Sequence, residues 1–436
     1  GYLKHVYQVF EKMGFKFGDK NSDWLVMWSH DYPFVTYKSV MQNLKPYQKI
    51  NHFPGSGYIT NKVYLAQTNM HFIPLAFALP AQKSSFVNFA SSNTNTSWVQ
   101  KSNNHRGIQV KKFGDVDLTK GDTFVQQFIG NPFLIDGRMF DIGVYMVIAS
   151  IDPLRAYVID GETLFRFCPQ EYYPFDSNNL DKYVIGDDYL PMWKLPSLEK
   201  YILTHGFSFK NSFNNFLITM GHEPKALWDK IYFAIREVLL QKESELVSSL
   251  QKYQSKRNFF EMMRFDFLVD DHMQVFLMEA NMSPNLSSDH FPDNARLYEH
   301  VIFNYLGLVG VGHLTSSSNK TSFSHDDPMY VSSQDIHVFP EYCLGKACTA
   351  NCHPLVCKLC KQCLTSDLSN AIKTAYLEHN RRGSARRIFP PPISPSDALK
   401  WTPKSDLIPM DKLNWKNKVM YIWFIGKCKQ DITWCS

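Results

Sequence analysis

Residues 259–286 read FFEMMRFDFLVDDHMQVFLMEANMSPNL, and this stretch decides the fold. An apolar run with one embedded carboxylate, Asp266, reaches the turn Val269-Asp270-Asp271-His272. A second run, Val275-Phe276-Leu277-Met278, then delivers Glu279 and Asn281 before Pro284 ends it. Two such runs around a polar turn predict a hairpin of buried strands. Side chains alternate between faces along a strand, so Glu279 and Asn281 share one face. Pairing of the strands brings Asp266 near them and assembles three oxygen donors suited to a hard cation such as Mg²⁺. The plainer alternative is a half-buried hairpin whose polar side chains face solvent. Asp and Glu are rarely placed in apolar runs unless paired or ligating, which favours the metal reading.

Working outward, 436 residues at 44% apolar can bury two or three domain cores. Charged residues make up 20% and aromatics 15%, a balance that excludes a disordered chain. A net charge of +5 does not mark a nucleic-acid binder and fits at most a weakly basic face toward an acidic partner. No apolar run approaches the ~20 residues of a membrane span. The best, residues 72–79, is short and interrupted by proline. The chain starts at Gly1 rather than at a methionine, which leaves room for an upstream signal peptide or anchor.

Cysteine use is lopsided. Cys168 stands alone in the first part of the chain, and Cys343, Cys348, Cys352, Cys357, Cys360, Cys363, Cys428 and Cys435 crowd the end. An even number in one segment suits disulfides. The Cys357-x-x-Cys360-x-x-Cys363 spacing beside His353 suits zinc as well, and free thiols are a third option. The pattern leans toward disulfides. Glycosylation triplets at Asn95, Asn285 and Asn319 point the same way, toward a secretory lumen, although such triplets recur by chance.

The pattern of elements predicts an α/β (α+β) body. A short amphipathic helix over residues 3–13 precedes an aromatic strand over 24–28, a turn-rich loop Asn51-His52-Phe53-Pro54-Gly55-Ser56 and a helix from Asn61. Strands follow at Trp98-Val99-Gln100, Ile108-Gln109-Val110, 124–129 and 145–148, with two more around an Asp160-Gly161 turn. Residues 227–250 carry helical periodicity. After Gly312 the composition changes: a Ser-rich linker at 315–320, the cysteines, a basic run (Arg381, Arg382, Arg386, Arg387) and three prolines.

The strand pair Phe265-Asp266-Phe267 and Met278-Glu279-Ala280-Asn281-Met282-Ser283-Pro284 resembles the ATP-grasp signature of the tubulin tyrosine ligase-like family, and the likeness runs in motif order over about residues 20–310. The resemblance implies an ATP-grasp fold divided as an N-terminal α/β domain (1–60), a central lobe (61–130), a C-terminal lobe (131–312) and a linker with a Cys-rich segment (313–436). It implies ATP and Mg²⁺ as cofactors, with Asp266, Glu279 and Asn281 on the metal. Lys62, after the loop at 51–55, and Lys101, at the end of a strand before a polar loop containing Arg106 and Gly107-Ile108, match phosphate-contacting lysines. Gln126, Gln127 and Phe128 match the adenine-side hinge, and Asp141 a contact to ribose or a cation. Arg166 matches a strand arginine; with Lys101 it is the expected catalytic cation. Arg138 is a further candidate.

This sequence departs from the family pattern at several points. Ser102 stands where the family has proline, Met139 where it has lysine, and Gly143 where it has an arginine directed at phosphate and acceptor. Arg264 stands where the family prefers glycine, next to Asp266, placed to tune that site or to pair with Asp270 or Glu261, and no His-Leu-Thr-Asn string occurs between residues 183 and 197. The implied function is activation of a glutamate carboxylate on tubulin, or on another acidic protein tail, through an acyl phosphate, followed by isopeptide addition of free glutamate. A nucleotide-binding member with impaired catalysis is the rival. Family resemblance places the chain with cytoplasmic microtubules; the cysteines and triplets admit a lumenal or secreted alternative with a different acceptor.

Overall fold

A strand covered on both faces must be largely apolar on both, and residues 140–151 and 261–269 are, apart from Asp141, Glu261, Arg264 and Asp266. In the computed structural model, which describes residues 2–19, 21–102, 108–316, 330–405 and 410–436, these two segments lie at the centre of the largest sheet. Arg106, Asn319 and most of the Ser-rich linker lie outside the described residues.

Two short strands, β1 (Val26–Met27) and β2 (Lys49–Ile50), pair in parallel near the N-terminus. Next come β3 (Ala76–Leu79), β4 (Trp98–Ser102), β5 (Gln109–Lys111) and β6 (Thr123–Gln127), an antiparallel sheet in the order β3-β6-β4-β5. Helix Lys83–Ser92 covers it through Phe86 and Ala90, which pack on Leu79, Trp98 and Val125. The third sheet holds β7 (Phe140–Ile151), β8 (Leu154–Phe167), β9 (Leu190–Pro191), β10 (Glu261–Val269), β11 (Val275–Asn281) and β12 (Ala385–Phe389). Its order is β11-β10-β7-β8-β12, with β9 on β8, and all its pairings are antiparallel.

Alternation sorts the side chains of this sheet into two cores. Ile142, Val144, Met146 and Ile148 of β7 pack with Trp228, Ile231 and Ile235 of the long helix Pro224–Leu250. Tyr145 and Val147 face the other way, against Leu297, Val301 and Tyr305 of helix Ala295–Leu308. The mixed helix-and-sheet class read from the sequence therefore holds.

Two local expectations change. The aromatic strand at 24–28 shortens to β1, because its pairing with β2 extends over Val26 and Met27 alone. Asp160-Gly161 is not a hairpin turn: residues 154–167 form one strand. Val144 pairs with Thr163 and Met146 with Val158, so the intervening β8 residues bulge, with Gly161 at φ +109°. Turn residues also suit a bulge, which needs an unpaired residue of unusual φ. Asp160 is held there by Lys210 and by the Tyr232 hydroxyl at 2.7 Å.

The C-terminal segment forms its own apolar cluster around helices Ser366–Arg381 and Trp415–Gln430, and it also supplies β12 to the main sheet. Its cysteines pair as Cys343–Cys360, Cys348–Cys357, Cys352–Cys363 and Cys428–Cys435, while Cys168 is free and buried. The zinc alternative loses its thiolates to these pairings. A buried ion pair binds the segment to β8: Arg155 donates through Nε (2.7 Å) and Nη2 (3.0 Å) to Glu378, which also accepts from the Tyr157 hydroxyl at 3.1 Å.

Candidate active site

The hairpin at 261–281 forms as the sequence predicts, with Asp270 closing the turn by accepting the backbone N–H groups of His272 (3.0 Å) and Gln274 (2.7 Å). Asp266 pairs directly with Glu279 and Arg264 with Asn281. The ladder then slips: Phe267 pairs with Leu277, so Met278 is an extra residue on β11. This bulge resets the alternation. Val275, Leu277 and Ala280 are buried, whereas Phe276, Met278, Glu279 and Asn281 are all half-buried. Without the slip, strict alternation would turn Met278 away from Glu279; with it, the apolar pair and the polar pair open onto the same region.

Three strands and one helix converge on the polar pair. Asn281 Nδ2 donates to Asp266 Oδ2 at 3.1 Å and to Glu279 Oε1 at 3.2 Å, bridging the two carboxylates. Lys62 Nζ lies 3.0 Å from Glu279 Oε2. Lys62 opens helix Lys62–Ala66, whose N-terminus is capped by the Asn61 side chain, accepting from Val63 and Tyr64 N–H. The loop before it is fixed to the base of β10: His52 Nδ1 sits 3.0 Å from Glu261 Oε1, and Phe53 N–H donates to Glu261 Oε2 at 2.9 Å. His52 is thus a buried core histidine that positions the loop.

From the other side, Arg166 on β8 faces Asp141 on β7 across the ladder and donates to both of its oxygens, at 3.0 and 2.5 Å. Its Nη2 also reaches Asp266 Oδ2 at 3.0 Å. Arg264 grips Asp266 from within β10, Nε to Oδ1 at 2.6 Å and Nη2 to Oδ2 at 2.8 Å. Lys101 Nζ donates to Gln126 Oε1 at 2.9 Å, and the Gln126 amide donates in turn to Pro74 O at 3.2 Å.

Three carboxylates (Asp141, Asp266, Glu279) therefore meet four cationic side chains (Lys62, Lys101, Arg166, Arg264). Burial alone would raise the Glu279 carboxyl, but the Lys62 ammonium and the Asn281 amide outweigh it and hold Glu279 well below the usual carboxylate range. Burial pushes Asp141 up to about 6 against the pull of Arg166, with Asp266 adding to the rise. Burial lowers the Lys101 ammonium to about 8; Glu279 opposes that shift and Lys62 adds to it. Near-neutral as it stands, such a cluster disfavours a bare divalent ion and suits one that arrives with an anion. Among the described residues, no group of three or more His, Cys, Asp or Glu side chains is set to hold a metal; the donors here are two carboxylates and an amide.

The remaining predicted residues lie around this centre. The backbone N–H of Gln127 donates to Leu75 O (2.8 Å) and that of Phe128 to Ser97 O (2.9 Å), so both are engaged within the protein. Gln127 and Phe128 line a cleft of about 790 Å³ together with Asn131 and Phe276. Phe128, Phe276 and Met278 pack beside an apolar cluster of Ile129, Met139, Cys168, Tyr172, Tyr183 and Leu268. Met139, where a lysine would have brought charge, is thus part of an apolar wall. Arg138 turns away and donates to the carbonyls of Cys168 (3.3 Å) and Pro169.

Of the places the sequence offers Arg264, the structure selects the Asp266 site; Asp270 closes the turn and Glu261 is taken by His52 and Phe53. The signal was Gly143: a Cβ there would lie 2.9 Å from Arg264 Cδ. Finding it requires the register between β7 and β10, which one sequence does not disclose.

The model of the tubulin-tyrosine ligase family matches residues 39–318. A probable tubulin polyglutamylase, ttll-15 of Caenorhabditis elegans, is 39% identical over 447 residues, covering 100% of this chain and 84% of that protein. The tubulin polyglutamylase TTLL6 of Mus musculus is 27% identical over 329 residues, 71% of this chain and 39% of the mouse protein. The tubulin monoglutamylase TTLL4 of Homo sapiens is 26% identical over 422 residues, 89% of this chain and 34% of the human one. The chain thus spans most of the nematode relative and little more than a third of the two mammalian ones. With its signature hairpin, its converging carboxylates and these matches, the chain belongs to the tubulin-tyrosine ligase family.

Proposed function

We propose that this ligase-family chain binds ATP with Mg²⁺ and joins free glutamate to a side-chain carboxylate on an acidic protein tail, tubulin's in the first instance. The observation that carries the reading is the meeting of Asp266, Glu279 and Asn281 within 3.2 Å contacts, ringed by Lys62, Arg166 and Arg264. Their all-oxygen donor set fits a hard cation, and Asn281 can present its amide oxygen by rotation of the amide. Glu279 and Asn281, beside the arginine-bound Asp266, would hold such an ion, which would supply positive charge against the nucleotide phosphates.

In the reaction, an acceptor carboxylate oxygen attacks the γ-phosphorus and ADP leaves; the glutamate amine then attacks the acyl carbon and phosphate leaves. Lys62 and Lys101 hold phosphate, Arg166 steadies negative charge near Asp141 and Asp266, and Phe128, Phe276 and Met278 supply an apolar surface for the base. Incubation of folded protein with Mg-ATP, labelled glutamate and microtubules tests this. ATP-dependent label on tubulin supports it; absence of any label sinks the catalytic reading.

A second reading is favoured by the apolar setting of Met139 and the engaged hinge N–H groups: nucleotide binding with impaired turnover. Stabilisation by Mg-ATP that chelator abolishes, without transfer of glutamate, would select it. The four disulfides favour an oxidising compartment in either case, and there the acceptor would be an acidic tail other than cytosolic tubulin. Among the described residues no helix is long and apolar enough to cross a membrane.

A further inference from the structure

Gly143 and Arg264 share one space. In the β7–β10 ladder Gly143 lies opposite Asp266, and Arg264 opposite Tyr145. A Cβ on Gly143 would meet Arg264 Cδ at 2.9 Å, Asp266 Oδ1 at 3.2 Å and Arg264 Nε at 3.3 Å. The arginine stem crosses β7 where a side chain would otherwise stand, and glycine is what lets it through.

The consequence falls on Asp266. Arg264 takes both of its oxygens, and Oδ2 accepts from Arg166 and Asn281 as well. Three of these four bonds fall on Oδ2, and the one on Oδ1 comes from the Arg264 guanidinium, so each oxygen already carries a cationic donor. The Asp266 side chain is 2% exposed, against 27% for Glu279. A divalent ion approaching Asp266 would meet two guanidinium groups already on it; at Glu279 it would meet the single ammonium of Lys62. The two carboxylates are neighbours in the ladder but are not equivalent ligands.

Resting on the nucleotide-binding reading above, we propose that Arg264 is a positioning residue, the resident cation of Asp266, and that each nucleotide consequently brings a single divalent ion, held at Glu279 and Asn281. Removing the Arg264 charge opens Asp266 to a second ion.

The test is a count of Mn²⁺ per bound non-hydrolysable ATP analogue on the full chain, read by the loss of free Mn²⁺ signal in electron paramagnetic resonance. The parent binds one ion per nucleotide, Arg264→Gln binds two, and Arg264→Lys, which restores the charge, returns to one. A packing role alone would not make the count follow the charge. Two ions on the parent overturn the proposal whatever the variants do, and so does one ion on a folded Arg264→Gln. Failure of the parent to bind the analogue at all removes the nucleotide-binding reading itself; nucleotide bound with an unaltered count removes this inference alone.

Discussion

Replacing Gly143 with alanine adds a single methyl group, and the structure says what it strikes. Arg264 Cδ would be 2.9 Å away, closer than real Cβ atoms come, with Asp266 Oδ1 at 3.2 Å. Neither neighbour can retreat freely: the two side chains are 6% and 2% exposed and are locked to each other by two hydrogen bonds. Gly143 is not at positive φ, so the penalty is steric rather than conformational. Overpacking of this kind costs about 1–3 kcal/mol. Complete rupture of the Arg264–Asp266 pair sets an upper range of about 3–5 kcal/mol. At roughly 2–4 °C per kcal/mol for a large domain, Gly143→Ala should lower the melting temperature by several degrees. The decisive assay is a double-mutant cycle with Arg264→Ala. Because the main clash is with the arginine stem, Gly143→Ala should be nearly neutral in that background, giving a coupling of about 1–3 kcal/mol. Equal destabilisation in both backgrounds would refute the reasoning.

Three further outcomes follow from the same geometry. Lys101, lowered to about 8, keeps its ammonium below that pH and loses it above; its folded value lies below its unfolded one, so stability should rise with pH from about 8 toward the ordinary lysine range, while nucleotide affinity falls. Lys101→Arg should flatten that affinity profile, and an unaltered profile would remove Lys101 from the phosphates. Glu378→Ala leaves Arg155, 4% exposed, without its bidentate partner and should cost about 3–5 kcal/mol in thermal or denaturant unfolding; a loss within error would show that the C-terminal segment is not anchored there. Under denaturing, non-reducing conditions one thiol, Cys168, should react, and reduction should bring the total to nine with a fall in melting temperature; eight or nine reactive thiols without reductant would exclude the disulfides.

Much of the site was legible because its signals are local. The hairpin declares itself through two apolar runs and an Asp-rich turn, and the ligand candidates sit at fixed offsets within it. Lys62 follows a turn-rich loop and an Asn cap, both visible in sequence. Signals that depend on register were hidden. The extra residue Met278 carries no glycine or proline to mark the bulge that turns it toward Glu279. Gly143 read as a lost charge, although the room it leaves admits Arg264 from the next strand. Asp160-Gly161 has the composition of a hairpin turn and serves as a bulge within one strand, since Val158 before it and Thr163 after it both find partners on β7. The basic run near residue 386 carried no sign of a strand, yet Arg387 is buried, with its guanidinium 3.7 Å from the Phe424 ring centroid and its strand completing the main sheet. Composition could not announce an arginine that packs on an aromatic face.

The measurement closest to the central claim compares the parent with Glu279→Gln for binding of an ATP analogue, with and without Mg²⁺. Glutamine keeps the shape and the Asn281 contact but removes the charge that Lys62 and the ion would share. The account predicts Mg²⁺-dependent binding by the parent and loss of most of that dependence, about tenfold or more in affinity, in the variant. Equal Mg²⁺-dependent affinity in the two proteins would contradict it.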